Sequence, residues 1–179
     1  MKKEDINRLI FIDESGSNLS FTREYARVIG GERIKLPKPY PRGNHYTMIS
    51  AIGAKKVLGT LYGNWHADGN IFSVFIEKIL CPELKKGDII LMDNVSFHKA
   101  ACVETLIHER GAEIRYLPPY SPDFSPIENM WSKIKSTIRK YAPRTPQKFA
   151  IAMKKAFTGI SQDDLLGWFR HCGYMPATI

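Results

Sequence analysis

Three acidic residues stand at points where polypeptides commonly build reactive sites. Asp13 follows the apolar run LIFI, Asp93 follows the apolar run IILM, and Glu128 lies just inside the start of a predicted helix. Seventy-nine residues separate Asp13 from Asp93, and 34 separate Asp93 from Glu128. Because loops at the ends of strands and helices often carry binding and catalytic groups, these positions favour a shared acidic site.

A cluster of three carboxylates has a chemical requirement of its own. Like charges within about 4–6 Å of one another raise a carboxyl pKa strongly unless a cation lies among them. Mg²⁺ prefers oxygen ligands and retains several waters, so a few acids can hold two such ions. One ion can then activate a nucleophile while the other stabilises the leaving oxygen of a phosphodiester. Asp13, Asp93 and Glu128 therefore predict a Mg²⁺-dependent phosphodiester-cleaving site, in which Mn²⁺ can replace Mg²⁺.

Each acid also has a purely structural interpretation. Glu14 adjoins Asp13, and successive side chains of a strand point to opposite faces, so only one of the two can enter the site. We favour Asp13 because it follows the apolar run directly. Asp93 could instead cap the following turn. Ser125-Pro126-Ile127-Glu128 has the form of a capping box, so Glu128 could complete the helix start, or do so while binding metal through a different oxygen.

The stretch DNVSFH (93–98) contains two further polar candidates. Asn94 follows Asp93 directly, and we take it as a supporting site residue. His98 could orient a catalytic acid or touch substrate DNA, although a histidine near a helix start is often only a local hydrogen-bonding partner. Both interpretations of His98 stay open at this point.

The helix that contains Glu128 has an apolar face and a charged face. Its apolar stripe consists of Ile127, Met130, Trp131, Ile134 and Ile138. Glu128, Lys135 and Arg139 follow one another on an adjoining face. Such charges usually form a solvated surface, but basic residues leading away from a metal site can also hold a DNA backbone. Lys135 and Arg139 are therefore candidate DNA-binding residues.

The elements around these residues predict an α/β fold. Strands are expected over 7–13, 46–53, 56–62, 88–93 and 113–117, and helices over 69–80, about 99–110, a segment containing Glu128, 147–158 and 162–171. ESGSN after residue 13 is expected to break the first strand. This order predicts a central mixed five-stranded sheet flanked by helices. The proline-rich basic stretch 31–45 is expected to be a surface loop, either DNA-facing or a plain linker.

Composition and charge narrow the class of protein. The 179 residues are 44% hydrophobic and 25% charged, which favours one well-buried domain. The net charge of +8 favours a polyanionic partner such as nucleic acid. Three cysteines without a CxxC pair suggest neither a disulfide framework nor a zinc knuckle. No apolar stretch approaches the ~18 residues of a membrane span, so we expect a cytoplasmic, nucleoid-associated protein without a membrane partner.

Three stretches resemble the DDE transposases of the mariner superfamily, in particular their bacterial insertion-sequence branch. They are IFIDESG (10–16), LMDNVSFH (91–98) and LPPYSPDFSPIENMWSKIK (117–135). The last two with their 34-residue interval are specific, whereas IFIDESG alone would be weak. The resemblance covers nearly the whole chain. It implies an RNase H-like fold, Asp13, Asp93 and Glu128 as the metal-binding catalytic acids, and cleavage at transposon ends followed by strand transfer into target DNA.

The chain also departs from this family. Mariner-type transposases normally carry an amino-terminal helix-turn-helix domain that reads the transposon ends, and this chain begins almost at its first predicted strand. We therefore expect one catalytic domain over 1–179, with a helical extension over 146–179, and a reading domain that is missing or separately encoded. Expected partners are transposon-end DNA, target DNA and further copies of the chain in a homodimer or larger assembly. Two alternatives remain: a stand-alone RNase H-like nuclease, or a truncated, non-catalytic DNA-binding inhibitor of transposition.

Overall fold

A mixed five-stranded sheet forms the centre of the structure, as the sequence predicts. The computed structural model describes residues 5–21, 45–95, 98, 101–119 and 121–175. The strands are β1 (Leu9–Asn18), β2 (His45–Gly53), β3 (Val57–Gly63), β4 (Ile89–Met92) and β5 (Glu113–Tyr116), in the spatial order β3-β2-β1-β4-β5. The β1–β2 and β2–β3 pairs are antiparallel, and the β1–β4 and β4–β5 pairs are parallel. The carboxyl ends of β1, β4 and β5 therefore point the same way.

Helices cover both faces of this sheet. They are α1 (Gly69–Phe75), α2 (Ala101–Glu109), α3 (Pro126–Tyr141), α4 (Pro146–Thr158) and α5 (Gln162–His171). The predicted helix over 69–80 divides, because α1 passes into a π-helical turn at Ile76–Leu80. Short 3₁₀ turns occupy Ile6–Arg8 and Pro122–Phe124. No helix among the described residues is long and apolar enough to cross a membrane.

Alternation along β1 separates two apolar clusters. Leu9 and Phe11 belong to the cluster that contains the buried residues of α3, α4 and α5. Ile10 and Ile12 belong to the cluster on the other face, with those of α1 and α2. Successive strand side chains point to opposite faces, so the residues after Ile12 continue the same alternation. Asp13 therefore lies on the α3 face of the sheet.

The predicted end of the first strand is wrong. β1 continues through ESGSN to Asn18, because β2 pairs with it antiparallel from Ile10 opposite Gly53 to Asn18 opposite His45. A partner strand satisfies the backbone of residues that are weak strand formers on their own. Gly16 has a packing role in this extension, since a Cβ there would lie 3.0 Å from the His45 ring. Strand β1, which carries Asp13, is therefore longer than the sequence pattern indicates.

Helix α3 buries the predicted apolar stripe. Its five members, Ile127, Met130, Trp131, Ile134 and Ile138, are each at most 1% exposed. Burying one such side chain stabilises the fold by roughly 1.5–3 kcal/mol. The stripe therefore holds α3 on the sheet, against β1. The proline-rich stretch 31–45 lies outside the described residues apart from His45, which begins β2.

Candidate active site

The structure brings all three predicted acids to one cavity. Asp13 comes from β1, Asp93 follows β4, and Glu128 lies in the first turn of α3. Together with Asn94 they line a cavity of about 470 Å³. Part of its wall is formed by Pro118, Pro119 and Pro122. β4 runs parallel beside the first residues of β1, with Phe11 opposite Leu91, so Asp93, the residue after β4, comes out level with Asp13 inside β1. The amino end of α3 brings Glu128 to the same place.

Asp13 is the most buried of these acids and the one most strongly perturbed. Burial, followed by the charges of Glu128, Glu14 and Asp93, raises its pKa to about 7. Trp131 is 1% exposed and donates a hydrogen bond from Nε1 to Asp13 Oδ2 at 3.1 Å. The sequence pattern identified Trp131 only as a core residue. Its indole also holds the Asp13 carboxylate toward the cavity.

Asp93 is half-exposed, and one of its carboxylate oxygens is already engaged. His98 Nδ1 lies 2.7 Å from Asp93 Oδ1, and the Val95 amide donates to the same oxygen at 3.4 Å. The hydrogen bond from His98 is the main reason that the pKa of Asp93 is lowered. The turn contact expected for an Asx residue is therefore present, but the shorter bond is to His98.

His98 lies behind Asp93 and away from solvent. Its side chain is fully buried, with Nε2 2.9 Å from Glu14 Oε1 and the ring stacked at a tilt on Phe72, 4.3 Å between centroids. Burial disfavours the charged imidazole, but the hydrogen bonds to Asp93 and Glu14 outweigh it and raise the pKa of His98 to about 10. A fully buried ring does not touch substrate, so the geometry favours the orienting interpretation.

The capping-box interpretation of Glu128 is wrong. Ser125 is the N-cap and Pro126 begins α3, as predicted, but the Ser125 side chain makes no capping hydrogen bond. The Ser125 amide donates instead to Pro122 O at 2.9 Å, within the preceding 3₁₀ turn. That turn supplies the acceptor that a capping glutamate would otherwise provide. Glu128 is exposed at the cavity, which leaves its carboxylate available for a cation.

The donor set has the chemistry that a divalent cation requires. Among the described residues, no three His, Cys, Asp or Glu side chains are grouped as a ready-made metal centre. Asp13, Asp93 and Glu128 nevertheless offer only oxygen donors, the type that Mg²⁺ and Mn²⁺ take. Burial first, and then the negative charges of Glu128, Glu14 and Asp93, raise the pKa of Asp13. A cation held by the three carboxylates would offset the repulsion among them.

The predicted DNA-binding residues lie away from the cavity wall. Lys135 and Arg139 are partly exposed on α3. At 1.5 Å per residue, they lie roughly 10 Å and 16 Å along the helix from Glu128. The Arg139 guanidinium stacks over the Phe21 ring, 5.1 Å from its centroid, and so packs against the segment that follows β1. The structure therefore does not bring this pair together with the acids, and their binding to DNA stays a prediction.

Comparison with solved structures shows the same architecture in a known protein. The Mos1 transposase paired-end complex with left transposon end has a TM-score of 0.77 and 13% identity, over 93% of this chain and 52% of that chain. The catalytic domain of Mos1 mariner transposase has a TM-score of 0.66 and 12% identity, over 93% and 78%. Other Mos1 paired-end complexes were solved with Mn and with Mg. The likeness shows that the fold is RNase H-like, as predicted.

The chain spans about half the length of the Mos1 transposase in the paired-end complex. No protein with a curated description matches its sequence. Residues 8–148 match a family described as DDE superfamily endonuclease. This range is most of the chain, and it includes the two strands and the helix that place the three acids around the cavity. The protein therefore belongs to the DDE superfamily of endonucleases.

Proposed function

We propose that this chain is the catalytic domain of a DDE transposase of the mariner superfamily, in its bacterial insertion-sequence branch. It would cleave DNA at transposon ends and join the released ends to target DNA. The observation that supports this proposal most directly is the meeting of Asp13, Asp93 and Glu128 at one cavity, in a chain of the DDE endonuclease family. The motifs around these acids support the insertion-sequence branch.

The three acids would hold Mg²⁺, or Mn²⁺ in its place. The bound ions would activate the attacking oxygen and stabilise the leaving oxygen of the phosphodiester. Trp131 would keep Asp13 turned toward the ions through its indole hydrogen bond. Asn94 adjoins Asp93 on the cavity wall, where its amide can donate to a phosphate oxygen. Pro118, Pro119 and Pro122 of the wall each have a fixed φ angle, which would favour one shape of the cavity.

DNA is the partner that the charge of the chain favours. A net charge of +8 attracts a phosphate backbone, and Lys135 and Arg139 would contact it along α3. We include in the proposal one catalytic domain over 1–179 with a helical extension over 146–179, and a homodimer or larger assembly on DNA. Recognition of specific ends would belong to a separate DNA-reading domain, and the protein would act in the bacterial cytoplasm, at the nucleoid.

The products formed on DNA would distinguish this function from its alternatives. The purified chain is incubated with Mn²⁺ or Mg²⁺, a duplex carrying the ends of its element and a plasmid target, with and without a DNA-reading domain. Joined products are expected from a transposase. Cleavage without joining would instead identify a stand-alone RNase H-like nuclease. Binding without cleavage, together with inhibition of an active transposase, would identify a non-catalytic inhibitor.

Asp93→Asn is the matched control for this assay. It preserves the shape of the side chain and replaces an anionic metal ligand by a neutral amide. The variant should bind DNA with the parent's affinity and form neither cleaved nor joined products. Equal cleavage by the parent and this variant would contradict the assignment of the site.

A further inference from the structure

A buried network behind the cavity has no part in the chemistry described so far. His98 is fully buried, and its two ring nitrogens lie 2.7 Å from Asp93 Oδ1 and 2.9 Å from Glu14 Oε1. Glu14 is 84 residues away from His98 in sequence, and only 16% of its side chain is exposed. A buried polar group without its partner is costly, so both acceptors are needed to keep the imidazole in place.

The Asp93 end of this network controls a carboxylate that reaches the cavity. Asp93 follows the last residue of β4 and is half-exposed, so its side chain is not held by surrounding packing. The bonds from His98 and from the Val95 amide both engage Oδ1. A cation in the cavity would therefore bind Asp93 through Oδ2. The carboxylate is held in one orientation before any ion arrives.

The Glu14 end of the network holds the imidazole. Glu14 faces the side of the sheet opposite Asp13, because the two are consecutive residues of β1. Its carboxylate accepts the bond from His98 Nε2, while the Phe72 ring packs on the imidazole face. Without this acceptor His98 Nε2 would lose its 2.9 Å bond, leaving the polar contacts of Nδ1, which lies 2.7 Å from Asp93 Oδ1 and 3.2 Å from the Asp93 carbonyl oxygen. Strand β1 thus places Asp13 in the cavity lining, whereas its next residue, Glu14, is linked to the cavity through His98 and Asp93.

We propose that Glu14 is a positioning residue that acts through His98 to orient Asp93 for metal binding. This inference rests on the proposed metal-binding function of Asp93. It assigns Glu14 a role that does not require contact with metal or DNA. Residues that hydrogen-bond to metal ligands without touching the metal typically weaken metal affinity by about 10- to 100-fold when they are removed. A merely structural hydrogen bond would change stability and leave the metal affinity of the folded protein unchanged.

The test measures Mn²⁺ affinity by electron paramagnetic resonance on folded parent and variant proteins. Glu14→Ala should weaken Mn²⁺ binding by about 10-fold or more. Glu14→Gln keeps a carbonyl acceptor for His98 Nε2–H, so it should restore affinity to within a few-fold of the parent. His98→Ala should weaken binding as Glu14→Ala does, and the double variant should be no weaker than His98→Ala alone, because Glu14 acts only through His98.

Thr47→Val is the matched control for loss of a buried hydrogen bond. Thr47 is 6% exposed on β2, donates from Oγ1 to Trp65 O, and is not among the residues that line the cavity. This variant should lower the melting temperature without changing Mn²⁺ affinity. A crystal structure of metal-free Glu14→Ala adds a readout that needs no metal, because the Asp93 side chain should leave its parental rotamer.

Separate outcomes overturn the inference and the function on which it rests. Parental Mn²⁺ affinity in Glu14→Ala, or additive losses in the double variant, would refute the positioning role while leaving the metal site intact. If Asp93→Asn binds Mn²⁺ as tightly as the parent, Asp93 is not a metal ligand, and the inference fails together with the proposed function.

Discussion

Neutralising Asp13 should stabilise the metal-free protein, because its ionised carboxylate is held in an unfavourable place. Burial, followed by the charges of Glu128, Glu14 and Asp93, raises the pKa of Asp13 from 3.8 to about 7. The folded state thus holds this proton more tightly than the unfolded state. The free energy of unfolding that depends on Asp13 therefore falls as pH rises from about 4 to about 7, and stays low above that.

The size of this effect follows from the pKa shift. A rise of about three pKa units corresponds to an upper limit of about 4 kcal/mol. Asp13 is only partly buried, so solvent screening reduces the effect to about 1–2 kcal/mol. In a protein of this size that difference raises the melting temperature by about 2–8 °C. Asp13→Asn keeps an oxygen that can accept the Trp131 hydrogen bond, so this contact should not offset the gain.

The assay is thermal unfolding in a chelator at pH 8 and near pH 4, followed by the same measurement with excess Mn²⁺. Asp13→Asn should melt above the parent at pH 8, and the difference should shrink toward zero near pH 4. With Mn²⁺ at about 100 times its Kd, the parent should gain about 2.7 kcal/mol. The variant should gain little, because it lacks one of the anionic ligands.

Asp163→Asn provides the control. Asp163 is an exposed acid of α5, and its substitution changes the net charge by the same amount as Asp13→Asn does. It should not raise the melting temperature at pH 8, and it should keep the response to Mn²⁺. If Asp13→Asn melts below the parent at both pH values, the ionised carboxylate is stabilising, and the argument from burial and repulsion is refuted.

Other predictions test the remaining residues. Glu128→Gln should melt at or slightly above the parent, because α3 has no capping box and the loss of this charge relieves part of the repulsion on Asp13. The variant should nevertheless abolish DNA cleavage, and a low melting temperature with retained cleavage would reverse this assignment. Trp131→Phe removes the hydrogen bond to Asp13, so it should lower the free energy of urea unfolding by about 1–3 kcal/mol and weaken the binding of Mn²⁺ by Asp13. Unchanged Mn²⁺ affinity would show that Trp131 is a core residue only. DNA affinity should fall with salt at a log–log slope of about −0.9 per phosphate contacted, with little sequence preference; tight binding that ignores salt would refute this. Lys135→Ala and Arg139→Ala should each reduce the magnitude of that slope by about 1, and an unchanged slope would remove that residue from the interface.

Much of the fold was predictable because its elements have strong local periodicity. The apolar stripe of α3 repeats at helical spacing, and its predicted start at Ser125 and Pro126 is the observed one. IILM forms a short buried strand, predicted over 88–93 and observed over Ile89–Met92. The positions of Asp93 and Glu128 relative to these elements follow from the same local patterns. Their arrival at one cavity, together with Asp13, matches the predicted site, although their catalytic role stays a prediction.

Local patterns were less informative where a partner from elsewhere in the chain completes the structure. ESGSN looks like a turn by its residue types, but β2 supplies a hydrogen-bonding partner along its whole length and makes it part of β1. The Ser125–Glu128 pattern looks like a capping box, but the 3₁₀ turn before α3 takes the Ser125 amide. In both cases a competing hydrogen-bond partner decided the outcome.

The sequence by itself determined the order of strands and helices and the places of Asp93 and Glu128 at the ends of their elements, because residue type and spacing act over a few neighbouring residues. Only the tertiary structure decided which side chains hold those acids. The contact of Trp131 with Asp13 joins residues 118 positions apart, and that of His98 with Glu14 joins residues 84 positions apart. No local pattern encodes such pairs, since they form only once β1 and β4 pair in one register and α3 packs on the sheet.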